Sequence, residues 1–322
     1  MTAQIRPYAV PSTDGVHTLR GVVYLPEGKP LGILQVVHGM TEYIGRYRRF
    51  MGDMAAAGWL VCGHDHLGHG ETADPSEWGF IAPQGGWELL CRDAVAFGDA
   101  VRAEYEAEYG SLPFVLMGHS MGSFVARLMA EQCIPRERLT GLIVMGTGGP
   151  NPAAGVGVAL TGLIKTLRGE RYVSKLVYAL AFGGYVKPFS DEKDIYAWLS
   201  TDLALRDAYR KDPMCTFPFT VSAMGDLIRL TKYANRRAWF KNMPKDLPIL
   251  LVSGSKDPVG GMGKGVETVH RRLERAGGQV TCRLYDGYRH EILNDACYEE
   301  VAGDIRRFLQ ETLRMKLFSR RP

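Results

Sequence analysis

Gly118-His119-Ser120-Met121-Gly122 stands between the apolar run Pro113-Phe114-Val115-Leu116-Met117 and a segment, Ser123-Phe124-Val125-Ala126-Arg127-Leu128-Met129-Ala130, that reads as a helix. A serine between two glycines, at the turn from a buried strand into a helix, is a way to lift a hydroxyl clear of a sheet. The glycines let backbone approach backbone while the serine is held in a strained conformation. In a chain with 38 glycines the five-residue pattern alone decides little, so the strand-turn-helix setting carries the reading. The competing account is a glycine-rich turn with an incidental serine.

The chain has 322 residues, 46% apolar and 23% charged, which suits one globular α/β unit with a sizeable insertion better than two independent domains. Its net charge of +4 is dispersed, and no basic cluster is interleaved with aromatics on one element, so nucleic acid is not an expected partner. Cys62, Cys91, Cys133, Cys215, Cys282 and Cys297 lie far apart with no CxxC and no metal-ligand spacing, and they read as buried thiols in a reducing compartment. Met1 to Pro7 holds no apolar core of signal-peptide length, and nowhere do 18 apolar residues run uninterrupted. The expectation is a cytoplasmic protein with no stable membrane insertion.

Outward from the serine, Leu19 to Leu25 alternates like a strand, and Gly32-Ile33-Leu34-Gln35-Val36-Val37 runs directly into His38-Gly39-Met40. A continuous apolar strand suits the interior of a parallel sheet covered on both faces. Were the lifted serine a nucleophile, a His-Gly pair at the C-terminal end of this strand is where a backbone N–H would turn toward a substrate carbonyl. The Met40 and Met121 N–H groups are therefore the candidate oxyanion donors, with Gly39 beside them as a substrate contact, and His38 reads as a packed brace. Arg46 to Ala56 reads as a helix and Trp59 to Gly63 as a buried strand that opens into His64-Asp65-His66-Leu67-Gly68-His69-Gly70. Three histidines spaced HxHxxH suggest a metal loop, but Gly68 stands where an aspartate is needed before the last histidine. No metal is expected; the loop reads as packing beneath the serine turn. Trp87 to Tyr105 forms a long amphipathic helix.

His38-Gly39-Met40-Thr41-Glu42 with Gly45-Arg46-Tyr47, then Asp65 to Gly70, then Gly118 to Gly122, resemble the monoacylglycerol lipase and lysophospholipase group of α/β hydrolases, related to the serine aminopeptidase-type hydrolases. The resemblance runs over essentially the whole chain. It implies the α/β-hydrolase fold: an eight-stranded, mostly parallel sheet with helices on both faces and an inserted helical cap. The group usually has glycine and histidine where this chain has Thr41 and Tyr43, and serine where Glu71-Thr72 follow the Gly-His-Gly loop. These departures are expected at the acyl-pocket entrance.

From about residue 148 to 237 the strand and helix alternation gives way to amphipathic pieces punctuated by glycine and proline, among them Val156 to Ile164 and Tyr172 to Phe182. The expected division is a core of residues 1–147 and 238–322 with a cap of 148–237. Tyr178, Phe182, Tyr185, Phe189, Phe217 and Phe219 are the cap aromatics available to line an acyl channel, Tyr178 and Phe182 foremost. The basic end Arg314 to Arg321 reads as a solvated tail, with transient contact to anionic lipid as the other reading.

Alternation returns with the strand Leu247 to Val252, followed by Gly254-Ser255-Lys256-Asp257-Pro258-Val259. A carboxylate just beyond a buried strand can meet a histidine from the next loop, and Asp257 occupies the acid position of the group's Gly-x-x-Asp-Pro-Val pattern, with Val259 beside the substrate. A helix, Gly265 to Ala276, and a strand, Val280 to Tyr285, lead to Asp286-Gly287-Tyr288-Arg289-His290-Glu291-Ile292-Leu293-Asn294. His290 lies in the group's Arg-His-Glu-Ile-Leu pattern, and the order Ser, Asp, His is that of this fold. Asp286 and Glu291 are the other candidate acids, ranked behind because they sit so near His290 in sequence.

The sequence thus reads as a cofactor-independent serine hydrolase. Ser120 is the nucleophile, His290 the base and Asp257 its orienting carboxylate. Its expected partner is a small acyl ester, by resemblance a monoacylglycerol, lysophospholipid or similar single-chain ester. The rivals are a feruloyl-type aryl esterase or an aminopeptidase and, more distantly, a non-catalytic binding protein of the same fold.

Overall fold

The computed structural model describes residues 4–319, with side chains to residue 315. In chain order the elements are β1 (Gln4–Pro11), β2 (Thr18–Leu25), β3 (Ile33–Val37), α1 (Arg48–Ala56), β4 (Leu60–His64), α2 (Gly86–Tyr109), β5 (Phe114–His119), α3 (Met121–Leu128) and β6 (Gly141–Met145). Then come α4 (Ala154–Arg168), α5 (Lys175–Phe182), α6 (Leu203–Lys211), α7 (Val221–Ala234) and α8 (Arg237–Asn242), followed by β7 (Ile249–Gly254), α9 (Lys264–Arg275), β8 (Val280–Tyr285) and α10 (Tyr298–Ser319). One eight-stranded sheet runs β1-β2-β4-β3-β5-β6-β7-β8. β1 pairs antiparallel with β2 and β2 with β4, while all other pairs are parallel.

The fully apolar strands are central for a physical reason. In β6, Leu142 and Val144 join the core on one face, and Ile143 and Met145 join the core on the other. β7 divides likewise, Ile249 and Leu251 against Leu250 and Val252. Successive side chains point to opposite faces, so a strand covered on both needs an apolar residue at every position. Apolar residues of α2, α3 and α9 cover one face, those of α1 and α10 the other.

β1 is absent from the sequence reading. It is an edge strand, mostly exposed and carrying Pro7 and Pro11, so it shows neither an apolar run nor clean alternation. The helix expected from Arg46 begins instead with one 3₁₀ turn, Ile44–Tyr47, and becomes α-helical at Arg48. There Asp65 Oδ1, brought in from beyond β4, accepts the Ile44 N–H at 2.7 Å. No helix among the described residues is long and apolar enough to cross a membrane. The basic end runs past them, so the tail reading falls largely outside the described side chains, as does Met1 to Ala3.

All five helices from α4 to α8 lie between β6 and β7. α4 packs on α7, and α7 on α2 and α3. The two chain crossings are joined by Arg127 of α3, which is fully buried. Its guanidinium donates to Thr147 Oγ1 at 3.2 Å and Gly148 O at 3.4 Å on the way out, and to Ala234 O and Asn235 Oδ1 on the way back. Trp239 and Phe240 pack on its faces. Without a carboxylate beside it, burial brings its pKa down to about 9.

Candidate active site

Ser120, between the end of β5 and the start of α3, has φ 53° and ψ −121°, in the region that residues other than glycine avoid. The turn is forced from both sides. A side chain at Gly118 would collide with the Gly122 carbonyl, and one at Gly122 with the carbonyls of Val37 and His38. The Ser120 N–H bonds the Met145 carbonyl at 3.0 Å, and its own carbonyl accepts from Ser123 N–H and Oγ at 2.9 and 2.6 Å. The half-buried Ser120 side chain opens on a cavity of about 370 Å³.

Asp257, just past β7, is fully buried, and Oδ2 of its carboxylate lies 2.9 Å from His290 Nδ1. Its Oδ1 accepts the Val259 N–H at 2.9 Å. The carboxylate therefore accepts a hydrogen bond from the Nδ1–H of His290 and leaves the ring's lone pair on Nε2. His290 lines the same cavity as Ser120, between the rings of Trp198 (5.2 Å) and His119 (4.7 Å). The other acids are engaged elsewhere: Asp286 accepts from Ser255 Oγ at 3.1 Å, and Glu291 is ion-paired with Arg46.

Met40, Met121, Tyr178, Phe182 and Val259 line the cavity. Gly39 does not; it stands behind the wall, its N–H given to Glu42 and its carbonyl 2.8 Å from His38 Nδ1. A Cβ there would lie 2.9 Å from the Ser120 Cβ, so the close approach of the two turns requires glycine. Of the other cap aromatics, Tyr185 and Phe217 reach the cavity. Phe219 is turned away against His69, and Phe189 is covered by Arg289. Thr41 lines the cavity and Tyr43 stands close by, but Thr72 does not mark its entrance: its hydroxyl is bonded to the Asp65 carbonyl at 2.6 Å and the Arg20 N–H at 2.8 Å, on the far side of the loop.

The four histidines of the β3 and β4 loops form a packed cluster. His38 Nδ1 donates to Gly39 O, and Nε2 accepts the His66 N–H at 2.9 Å. Burial, with the neighbouring rings, lowers the pKa of His38 to about 3; burial takes His64 to about 3 and His69 to about 4, and His66 goes well below its usual value. All four are neutral packing groups at pH 7, and no cluster of three or more His, Cys, Asp or Glu among the described residues is arranged for a metal.

A buried ionic cluster behind the site was missed. Glu42 Oε1 accepts from the Gly39 N–H, from Tyr47 Oη at 2.9 Å and from His119 Nδ1 at 2.9 Å. Arg46 lies 3.8 Å from the other Glu42 oxygen and pairs with Glu291, next to His290. Burial alone would raise the Glu42 carboxyl, but the His119 and Arg46 charges outweigh it and bring the pKa down to about 2. Glu42, Arg46 and Tyr47 all lie in the motif that carried the resemblance; nothing local told their role, because the partners that join them to the site, His119 and Glu291, are 72 or more residues away.

A family model described as serine aminopeptidase, S33 (Hydrolase_4) matches residues 28–296. A monoacylglycerol lipase from Mycolicibacterium smegmatis is 27% identical over 92% of this chain and 97% of its own. A thermostable carboxyl esterase from Bacillus coagulans, solved with glycerol, superposes with a TM-score of 0.89 at 29% identity, over 96% of this chain and 99% of its own. A lipase solved in an open form follows with 0.87 and 27%, over 96% and 99%.

Proposed function

This chain belongs to the serine aminopeptidase S33 (Hydrolase_4) family, and from that premise we propose that it is a carboxylic ester hydrolase acting on monoacylglycerols or similar single-chain esters through an acyl-enzyme on Ser120. The observation that carries the reading is the buried Asp257–His290 pair, 2.9 Å apart, opening on the same cavity as the strained Ser120. Ser120 Oγ attacks the ester carbonyl as His290 Nε2 takes its proton, and Asp257 stabilises the imidazolium that forms. The Met40 and Met121 N–H groups receive the oxyanion, each donor worth about 2.7–4 kcal/mol. His290 then protonates the leaving alcohol, and water, activated by the same ring, releases the acyl group.

An ester of an apolar acid fits the cavity's chemistry. Phe124, Tyr178, Phe182, Phe217, Leu227 and Val259 form an apolar wall for a chain, while Tyr196 and Thr216 offer hydroxyls toward a polar alcohol. The aminopeptidase reading needs a free carboxylate to hold a substrate ammonium. The two carboxylates on the cavity wall, Glu42 and Glu291, are already paired with His119 and Arg46. The helices between β6 and β7 act as a cap (residues 148–237) on the core, and the relative solved in an open form supports a movable one.

A fluorophosphonate probe should label Ser120. Ser120→Ala is expected to lower kcat about 10⁴-fold or more while the protein stays folded. Turnover across monoacylglycerols, p-nitrophenyl esters, feruloyl esters and aminoacyl amides should favour the first two. Near-normal turnover by Ser120→Ala, or preference for the amides, would overturn the reading.

A further inference from the structure

Thr41 follows Met40, and its backbone sits at φ 51°, in the left-handed region. A β-branched residue resists that conformation and persists there only when its surroundings hold it. Tyr209, near the end of α6, supplies the hold. Its hydroxyl donates to the Thr41 carbonyl at 2.9 Å and, having given its one proton, accepts from Thr41 Oγ1 at 2.9 Å. Two residues on, Tyr43 donates to Asp212 Oδ2 at 3.0 Å, at the C-cap of the same helix. The turn after Met40 is thus joined to α6 at two points, through two of the positions where this chain departs from the group it resembles.

The post is itself fixed. Tyr209 is 5% exposed, packed against Tyr196 at 5.3 Å and under the Arg46 guanidinium at 4.9 Å. Arg206 of α6 is buried, donating to Ser200 O at 2.7 Å and paired with Glu192 at 2.6 Å. Ser200 Oγ bonds Asp295 at 2.6 Å, and Leu199 O accepts the Glu291 N–H at 2.8 Å. α6 is therefore tied to the loop that carries His290, and Tyr209 cannot shift without disturbing those bonds.

We propose that Tyr209 is a positioning residue of the oxyanion turn: by gripping Thr41 at both carbonyl and hydroxyl it keeps Thr41 left-handed and so sets the course of the chain through Met40, and with it the aim of the Met40 N–H. The inference rests on the reading of Met40 as an oxyanion donor in a Ser120 hydrolase. A donor that drifts by a fraction of an ångström loses strength in the transition state more than in the ground state, so the latch acts on kcat.

Tyr209→Phe is expected to lower kcat for a p-nitrophenyl ester about 10-fold with KM moving less than threefold, and to weaken binding of an alkyl boronic acid, a tetrahedral mimic, in proportion to kcat/KM. In a Thr41→Gly background the same substitution is expected to cost less than threefold, because glycine holds φ 51° unaided. Loss of mere packing would cost the same in both backgrounds, and that result, or an unchanged kcat in Tyr209→Phe, overturns the inference. If Tyr209→Phe does not fold, Thr41→Val is read in its place: it removes only the Thr41 hydroxyl, a kcat loss of at least about threefold supports the latch, and an unchanged kcat overturns it. Turnover by Ser120→Ala refutes the underlying reading; an inactive Ser120→Ala with equal Tyr209 costs in both backgrounds refutes the latch alone.

Discussion

His119 Nδ1 lies 2.9 Å from Glu42 Oε1, while the Nε2 of the same ring lies 3.3 Å from the carbonyl of His290. Tyr47 Oη also lies 2.8 Å from Nδ1, so the ring sits among a carboxylate, a phenol and a carbonyl. Burial pushes its pKa down, but the Glu42 charge and hydrogen bond outweigh it and the net shift is upward. Glu42 and His119 thereby tie the Gly39 turn, the serine turn and the His290 backbone together.

The first prediction follows from that pair. Glu42→Gln keeps the shape and removes the charge, and should lower kcat on the order of 10- to 100-fold through misplaced groups, with a smaller change in KM. In the parent protein, ¹⁵N spectra should show the His119 ring, assigned by its loss in His119→Gln, holding its second proton to higher pH than a free imidazole; a lowered titration would refute the ion pair. The His119 share of stability is in place below about pH 6.5 and fades as pH rises through its raised pKa. The Glu42 share is in place above about 4.5 and fades as pH falls toward 2.

The second concerns acid. His38, His64, His66 and His69 bind protons readily when unfolded, near pH 6.5, but when folded His38 and His64 do so only near pH 3, His69 only near 4, and His66 only well below its usual value. Between those values the unfolded chain holds more protons, so stability falls with pH by about 1.4 kcal/mol per unit for each histidine. Asp65 and Asp226, raised by burial to about 6, take up protons on folding and oppose part of this loss. The net expectation is a urea midpoint that drops steeply from pH 6.5 to 4.5. A flat profile there would contradict the buried, neutral cluster.

Arg127 gives the third. Arg127→Met keeps much of the volume beside Trp239 but abandons the Ala234 carbonyl and Asn235 Oδ1, each unsatisfied acceptor costing about 1–3 kcal/mol. The variant should unfold at clearly lower urea, on the order of 3 kcal/mol less stable. A midpoint equal to the parent's would mean that the crossings into and out of the insertion do not depend on this clamp.

The fourth tests the apolar wall. Phe182 lines the cavity from the end of α5. Phe182→Ala should lower kcat/KM for a long-chain ester by about 10-fold or more and leave an acetyl ester within about twofold, since only the longer chain reaches the ring. Equal losses for both would place the acyl chain elsewhere.

The elements that could be read from the chain were those whose cause is local. β5, β6 and β7 are legible because burial on both faces demands an unbroken apolar run, and the serine turn because its backbone collisions admit only glycine at 118 and 122. The order Ser120, Asp257, His290 was likewise readable, each residue sitting just past a strand. β1 was not, because an edge strand with one exposed side and two prolines carries no such demand.

What required the folded molecule is everything set by partners far apart in the chain. Glu42 becomes a hub only when His119, 77 residues on, is folded against it, and Thr41 is tolerated in a left-handed turn only because Tyr209, 168 residues on, grips it. Phe182 and Phe219 look alike as cap aromatics, yet one faces the cavity and the other packs under it. Periodicity and turn chemistry act over a few residues and are written in the chain itself. Charge pairing, the orientation of buried rings and the shape of a cavity depend on distances through space, and those exist only after the sheet has brought its loops to one edge.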